Sequence, residues 1–505
     1  MSTYKTASLI GSVFLGLTLA GCAASDKPQE QNHLTFVYNF ATQSLDPHRD
    51  SSYVPLRAGV TETLVRLDDE RLTVEPWLAK KWSFEGKRTW RIVLQEDVTF
   101  HNGKRLDAAA VKSSLERSID ENPGVKNALN IETIKTDGPD LLIQTKTTYP
   151  EFISELVNPN TAIIDTKASG VTKEPMGTGP FQVERFAPGT KVELKRFKSY
   201  WQEQAKLDFV DFVFNEDAGA RTNALRAGQA DIVYRPEIES VKQLKSEGLT
   251  VQATDTFRVH QLTMNVANGP MHSFEVRQAM DALINRKQLV DHVLQGYAVP
   301  ASGPFLSSFP FAPNYPQQVQ KTPEEWLKQA GYTKQNGRMQ KDGRPLKLTL
   351  LTYAARPDLP LIAQVIQDDA KKIGVAITIK QIDVPEEYMA SNRDWDIATY
   401  SNLTAPRGDA GYYLNATYHP NGGLNFSRVA DPKLTKQIET LNETIQIEER
   451  SRLAEQIARY VDEKRYNSFL LHPSTLVAYD GKRVKGWKTE KSEYYMITNT
   501  LQVND

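Results

Sequence analysis

Arg407 and Asp409 stand two residues apart in the loop Asn402-Leu403-Thr404-Ala405-Pro406-Arg407-Gly408-Asp409, and Tyr412, Tyr413, Tyr418, His419, Asn421, Gly422, Gly423 and Asn425 follow closely. A guanidinium takes a carboxylate in a two-pronged hydrogen bond, which gives orientation as well as affinity in an enclosed site. Tyrosines beside glycines and amides suit a pocket that stacks on and hydrogen-bonds a polar small molecule. The stretch therefore predicts a ligand pocket, with Arg407, Tyr400, Asn402, Thr404, Tyr412, Tyr413 and Asn425 as its candidate contacts. An anionic ligand fits Arg407 better than a free amine does, although Asp409 could still meet an ammonium group.

The elements that must position this loop are legible upstream. Leu346, Leu348 and Leu350 alternate with polar residues as a half-buried strand does. Ile362, Val365, Ile366, Ala370 and Ile373 then recur at helical spacing, and Gly374 stands where a helix commonly ends in the left-handed conformation. Val375, Ile377 and Ile379 alternate again. Strand, helix and strand at this spacing make a βαβ unit with parallel strands, so the fold class is α/β. Thr322-Pro323-Glu324-Glu325 supplies a cap, a first-turn proline and first-turn acids for another helix, stopped at Gly331. A further strand is predicted from Trp395 to Ser401, and open α/β sheets collect ligands outside the carboxyl ends of such strands.

Catalytic signatures are missing. The chain carries no nucleophile elbow, no paired zinc-binding histidines around a glutamate, no Walker loop and no dinucleotide fingerprint. Gly177-Thr178-Gly179-Pro180 resembles a phosphate loop only superficially, because Pro180 removes an amide donor. Asp368-Asp369 reads as a solvated helix face. An extracytoplasmic hydrolase is therefore a remote alternative. The 61 basic and 62 acidic residues offset each other, with no long run of either sign, which leaves no footprint for nucleic acid.

Cys22 is the single cysteine and closes Leu19-Ala20-Gly21-Cys22 behind a short apolar run. That run is shorter than the roughly 20 residues a membrane span needs, so residues 1–21 read as a lipoprotein signal peptide. Cys22 would be the acceptor of a lipid anchor, holding the protein in the cell envelope outside the cytoplasm. With that thiol consumed, disulfides and thiolate metal sites are excluded. Residues 22–32 are polar enough for a flexible tether, and folding is expected from about His33.

The chain also resembles a known family along nearly all of its mature length. The matching stretches are Trp77-Leu78-Ala79-Lys80-Lys81-Trp82, TFHNGKRLDAAAVKSSLER from Thr99 to Arg117, and GTGPFQVERFAPGTKVELKRF from Gly177 to Phe197. NALRAGQADIV from Asn223 to Val233 and VRQAMDALINRKQLVDHVLQGYA from Val276 to Ala298 complete the set, in the same order. They are similar to the extracellular solute-binding proteins of the dipeptide, oligopeptide and nickel group, which serve ABC importers. The resemblance implies a type II periplasmic-binding-protein fold of two α/β lobes that close on ligand by a hinge. Lobe I would comprise residues 33–258 plus 480–505, and lobe II residues 259–479. His101-Asn102-Gly103 becomes a hairpin turn with Asn-Gly supplying positive φ.

Peptide-binding relatives place an acid in the loop where this chain has Ala405-Pro406-Arg407, so the charge is reversed. Nickel-binding relatives hold the metal inside a small organic chelator, using arginine for carboxylates and in some cases one histidine on the metal. His419 sits at a comparable position and is the candidate metal ligand, able to fill one coordination site. First-lobe arginine and tryptophan positions of some nickel binders appear here as Pro123-Gly124-Val125-Lys126-Asn127 and Pro159-Asn160-Thr161, leaving Lys126 as the weaker substitute. The resemblance implies a monomeric receptor that captures a chelated divalent metal, nickel or a relative, as cargo and not as a permanent cofactor. It would deliver that cargo to ABC permease subunits, with di- or oligopeptide capture as the alternative.

Overall fold

Strand Asn467–Tyr479 is the spine of the molecule, buried along almost all of its 13 residues. In the computed structural model, which describes residues 32–86, 88–315, 321–444 and 446–504, it belongs to a sheet of twelve strands. Its first half pairs antiparallel with Arg258–Met264, and its second half with Thr250–Asp255 and Ile232–Tyr234. The chain leaves Thr250–Asp255 and enters Arg258–Met264 after only Thr256 and Phe257, so two neighbouring segments connect the two halves of the sheet. The signal segment, Cys22 and the tether up to residue 31 lie outside the described residues.

Each half has its own apolar core. One is built on Leu34, Phe36, Phe181, Phe212, Ile232 and Val477. The other gathers Leu262, Met280, Leu350, Ile362, Trp395 and Leu470. In the second half the βαβ unit forms as expected: strand Lys347–Thr352, helix Asp358–Lys372 and strand Ala376–Gln381 in parallel register. The helix buries Leu359, Ile362, Ala363, Ile366 and Ala370, so Ala363 takes the place expected of the half-buried Val365. Gly374 has φ +87°, and a Cβ there would sit 2.5 Å from the Gly337 carbonyl oxygen. Thr322 and Glu325 form a reciprocal capping box on helix Pro323–Gln329.

The strand before the ligand loop runs Ile397–Leu403, two residues later than predicted. It lies parallel to Lys347–Thr352 and antiparallel to Arg258–Met264, so it is a central strand buried on both faces. A separate sheet of Ala79–Phe84, Thr89–Leu94, Asp140–Thr145 and Ile131–Asp137 packs on helix Ala108–Glu121, and the helix that follows it, Pro123–Leu129, stands at the site. The turn at His101-Asn102-Gly103 joins Thr99 to Arg105, but only Gly103 takes positive φ, which corrects the expectation for Asn102. His101 is half-buried with Nε2 3.0 Å from the Gly179 carbonyl oxygen, and desolvation pushes its pKa down to about 4.

The glycines of Gly177-Thr178-Gly179 serve packing: a Cβ at Gly179 would meet the Gly59 carbonyl oxygen at 2.2 Å. Between them Thr178 donates to Glu62, a buried carboxylate that also accepts from Trp77, Tyr200 and Trp201 at 2.8 to 2.9 Å.

Candidate functional site

The loop after strand Ile397–Leu403 turns sharply at Gly408, whose φ is +78° and whose N–H donates to the Ala405 carbonyl at 3.0 Å. A side chain there would strike Leu67 and the Leu72 backbone, so the loop is seated tightly against the hairpin of strands Val65–Asp68 and Thr73–Pro76. Helix Gly411–Tyr418 follows directly. This geometry lays the Arg407 guanidinium over the Tyr412 ring, 4.3 Å from its centre.

Arg407 and Tyr412 face a cavity of ≈ 970 Å³, together with Asn415 and His419. Across it stand Tyr53, Tyr149, Glu155 and helix Pro123–Leu129, which Asn122 caps and which carries Lys126. Lys126 is exposed on this wall. Tyr53 adopts φ 55°, uncommon for a bulky residue, and meets Tyr494 edge-on at 5.9 Å. Burial pushes the Tyr149 hydroxyl up to about 12, which keeps it a neutral hydrogen-bonding group.

Arg407 is ion-paired with Glu155, and each side chain is only 7% exposed. Its Nε is buried without a hydrogen-bond partner. Arg450 pairs with Glu151 and lies 3.3 Å from Asp409. Asp409 also accepts the Gly411 N–H at 2.5 Å, which starts the helix, and burial pushes its carboxyl up to about 6. The acid that could have met a ligand ammonium is therefore engaged inside the protein.

His419 terminates helix Gly411–Tyr418, and its Nδ1 accepts the Asn421 N–H at 3.2 Å. With Nδ1 accepting, the neutral ring carries its proton on Nε2. Offering Nε2 to a metal requires the other tautomer and loss of the Asn421 bond. Among the described residues no group of three or more His, Cys, Asp or Glu side chains is arranged to hold an ion.

Of the sequence candidates, Arg407, Tyr412, Lys126 and His419 line the cavity, whereas Tyr400, Asn402, Thr404, Tyr413 and Asn425 are engaged elsewhere. Tyr400 donates to Glu386 at 2.7 Å, and Thr404 donates to the Phe257 carbonyl at 3.0 Å. Asn402 is buried in the ladder opposite Val259. Tyr413 donates to Gln261 at 2.9 Å within the core. Asn425 closes its own loop through Val429, with both bonds at 2.9 Å. For Tyr400 and Asn402 the physical reason is the doubly buried strand: both of its faces point into packed layers. Asn160 donates to the carbonyls of Pro47 and Asp50 at 2.7 and 3.2 Å and so holds the wall together. Tyr53, Tyr149 and Glu155 escaped the sequence reading, since nothing local separates them from ordinary aromatic and acidic positions.

A cavity between helix Pro123–Leu129 and helix Gly411–Tyr418, walled by aromatic and amide groups, fits a solute receptor. The chain belongs to the bacterial extracellular solute-binding proteins, family 5, whose sequence profile for the middle region matches residues 73–425. Membership makes it a receptor of the ABC-importer class and not an enzyme.

The chain is 34% identical over 485 residues to the nickel-binding protein NikA of Staphylococcus aureus, covering 95% of this chain and 96% of that one. Among solved structures, a nickel ABC transporter protein from Bacillus halodurans is 56% identical with TM-score 0.75, covering 94% of this chain and 100% of that one. NikA from Staphylococcus aureus, solved with Ni(L-His)2, superposes with TM-score 0.85 at 33% identity, covering 94% and 100%. The oligopeptide-binding protein AppA from Bacillus subtilis, solved with a nonapeptide, shares the fold at TM-score 0.81 and 20% identity, over 95% and 100% of the two chains.

Proposed function

We propose that this protein captures a divalent metal, nickel foremost, already wrapped in a small carboxylate-bearing chelator, and passes it to the permease subunits of an ABC importer. The observation that carries the reading is Arg407: a buried guanidinium, stacked on Tyr412 and facing a cavity of ≈ 970 Å³. Such a group orients a carboxylate. Relatives of similar length that bind nickel support the same cargo. Peptide capture lacks its natural anchor, because Asp409 is occupied by Arg450 and the Gly411 amide.

In this reading Tyr412, Tyr53 and Tyr149 pack on the chelate, Lys126 guards the far wall, and His419 completes the metal's coordination once its ring changes tautomer. The chelator supplies the other donors. Lobe I (33–258 with 480–505) and lobe II (259–479) close as a hinge about the two neighbouring connecting segments. The mature monomer is anchored through a lipidated Cys22 at the cell envelope.

Titration calorimetry tests the cargo. Ni(L-His)2 should bind the purified mature chain tightly and raise its melting temperature. Tight binding of di- or oligopeptides with none of nickel chelates would overturn the reading.

A further inference from the structure

Arg407 meets the cavity already neutralised. Glu155 holds its Nη1, Tyr412 fixes the plane of the guanidinium, and Nε is the buried atom of the fork left without a partner. The unpaired Nε leaves the fork donor capacity for a ligand carboxylate while Glu155 stays on Nη1. The neighbouring guanidinium does not line the cavity: Arg450 is held by Glu151, Asp409 and the carbonyls of Leu441 and Thr444. Around this corner three carboxylates, Glu151, Glu155 and Asp409, face two guanidiniums. The other charged groups on the cavity, Lys126, Lys146, Glu439 and Glu443, are exposed at its rim and offset one another.

From this geometry we infer that Glu155 is a specificity-determining residue, a resident carboxylate that makes the cleft select chelates whose total charge is zero. The inference rests on the chelate reading of the same site. A divalent ion with two monoanionic amino-acid ligands is neutral and brings a carboxylate to Arg407 with its charge balanced by the metal. A complex with surplus carboxylates sets its net negative charge against Glu155 in a site partly removed from water, where like charges repel strongly. Without Glu155, Arg407 would be an unscreened cation that favours the anionic complex.

The test compares neutral Ni(L-His)2 with the dianionic complex of nickel and EDTA, by calorimetry on wild-type protein, Glu155→Gln and Glu155→Asp. Wild type should favour the neutral complex. Glu155→Gln should shift the ratio of the two dissociation constants toward the anion by at least roughly tenfold. Glu155→Asp, which keeps the charge, should retain the wild-type preference even if both affinities fall. A ratio unchanged in Glu155→Gln, or shifted equally in Glu155→Asp, overturns the role of Glu155 and leaves the chelate reading standing. Failure of wild type to bind either complex overturns the chelate reading, and the inference with it. A thermal melt of each variant shows that it is folded before the ratio is read.

Discussion

Glu493 and Glu155 are both buried carboxylates facing arginine, yet they sit in opposite situations. Glu493 lies beside the paired crossings of the sheet, where one oxygen accepts from Tyr234, Arg235 and Thr475 at 2.6 to 2.9 Å and the other from Arg258 at 2.7 Å. Burial alone would raise its pKa, but Arg258, Arg235 and Arg356 hold it well below the ordinary carboxylate range. Glu155 has Arg407 and faces the cavity. A carboxylate saturated by donors from several segments ties the framework together, whereas a single pair on a cavity wall leaves donor capacity for a ligand.

Acid should break the framework side of this contrast most. His48 and His472 are buried and His101 is half-buried, and desolvation pushes each from 6.5 down to about 4. Their folded pKa values are depressed, so the stability they contribute is present above pH 6.5 and lost as pH falls toward 4. His472 contacts the Arg258 backbone at 3.1 Å, so its protonation adds a cation beside the Glu493 hub. Denaturant titrations at pH 7, 5 and 4 should show several kcal/mol lost in all. Glu490 acts in the opposite sense: burial raises it to about 7, so its contribution is present below 4.5 and declines as pH rises through 7. Stability that stays flat from pH 7 to 4 would contradict the neutral state of these histidines.

Glu493→Gln should come next, costing about 3 to 5 kcal/mol of unfolding free energy because Arg235 and Arg258 remain buried without their countercharge. Chelate affinity of the folded fraction should change little by comparison. Arg407→Gln should invert the pattern. Ni(L-His)2 binding should weaken by about 2 to 3 kcal/mol, with a smaller loss in melting temperature. If the two variants moved stability and binding alike, the division between framework and cavity would fail. The smallest effect belongs to His419→Ala, since its ring must give up the Asn421 bond to reach a metal. A loss of less than roughly tenfold in chelate affinity is expected. Equal affinity in the variant would remove His419 from the metal's coordination.

Much of the fold was legible in the chain because periodicity and end signals are local. Lys347–Thr352, Asp358–Lys372 and Ala376–Gln381 announce themselves by alternation, helical spacing and Gly374, and Thr322 announces a helix start. The cleft was half legible. Arg407, Tyr412 and His419 lie in a loop whose composition points to binding, and they reach the cavity. Tyr400 and Asn402 belong to the same stretch, but a strand buried on both faces offers neither side to a ligand. Thr404 and Asn425 carry polar groups that serve the backbone around them.

The residues alone therefore determined the α/β class, the receptor family and the arginine that marks the cavity, since each is written in short-range pattern or residue type. Only the tertiary structure decided how charge is shared there. Glu155 reaches Arg407, and Arg450 takes Asp409, across long separations in the chain. No local rule pairs them, because Coulomb interaction and burial depend on distance in space, and that distance exists only once the separate sheets and helices have packed.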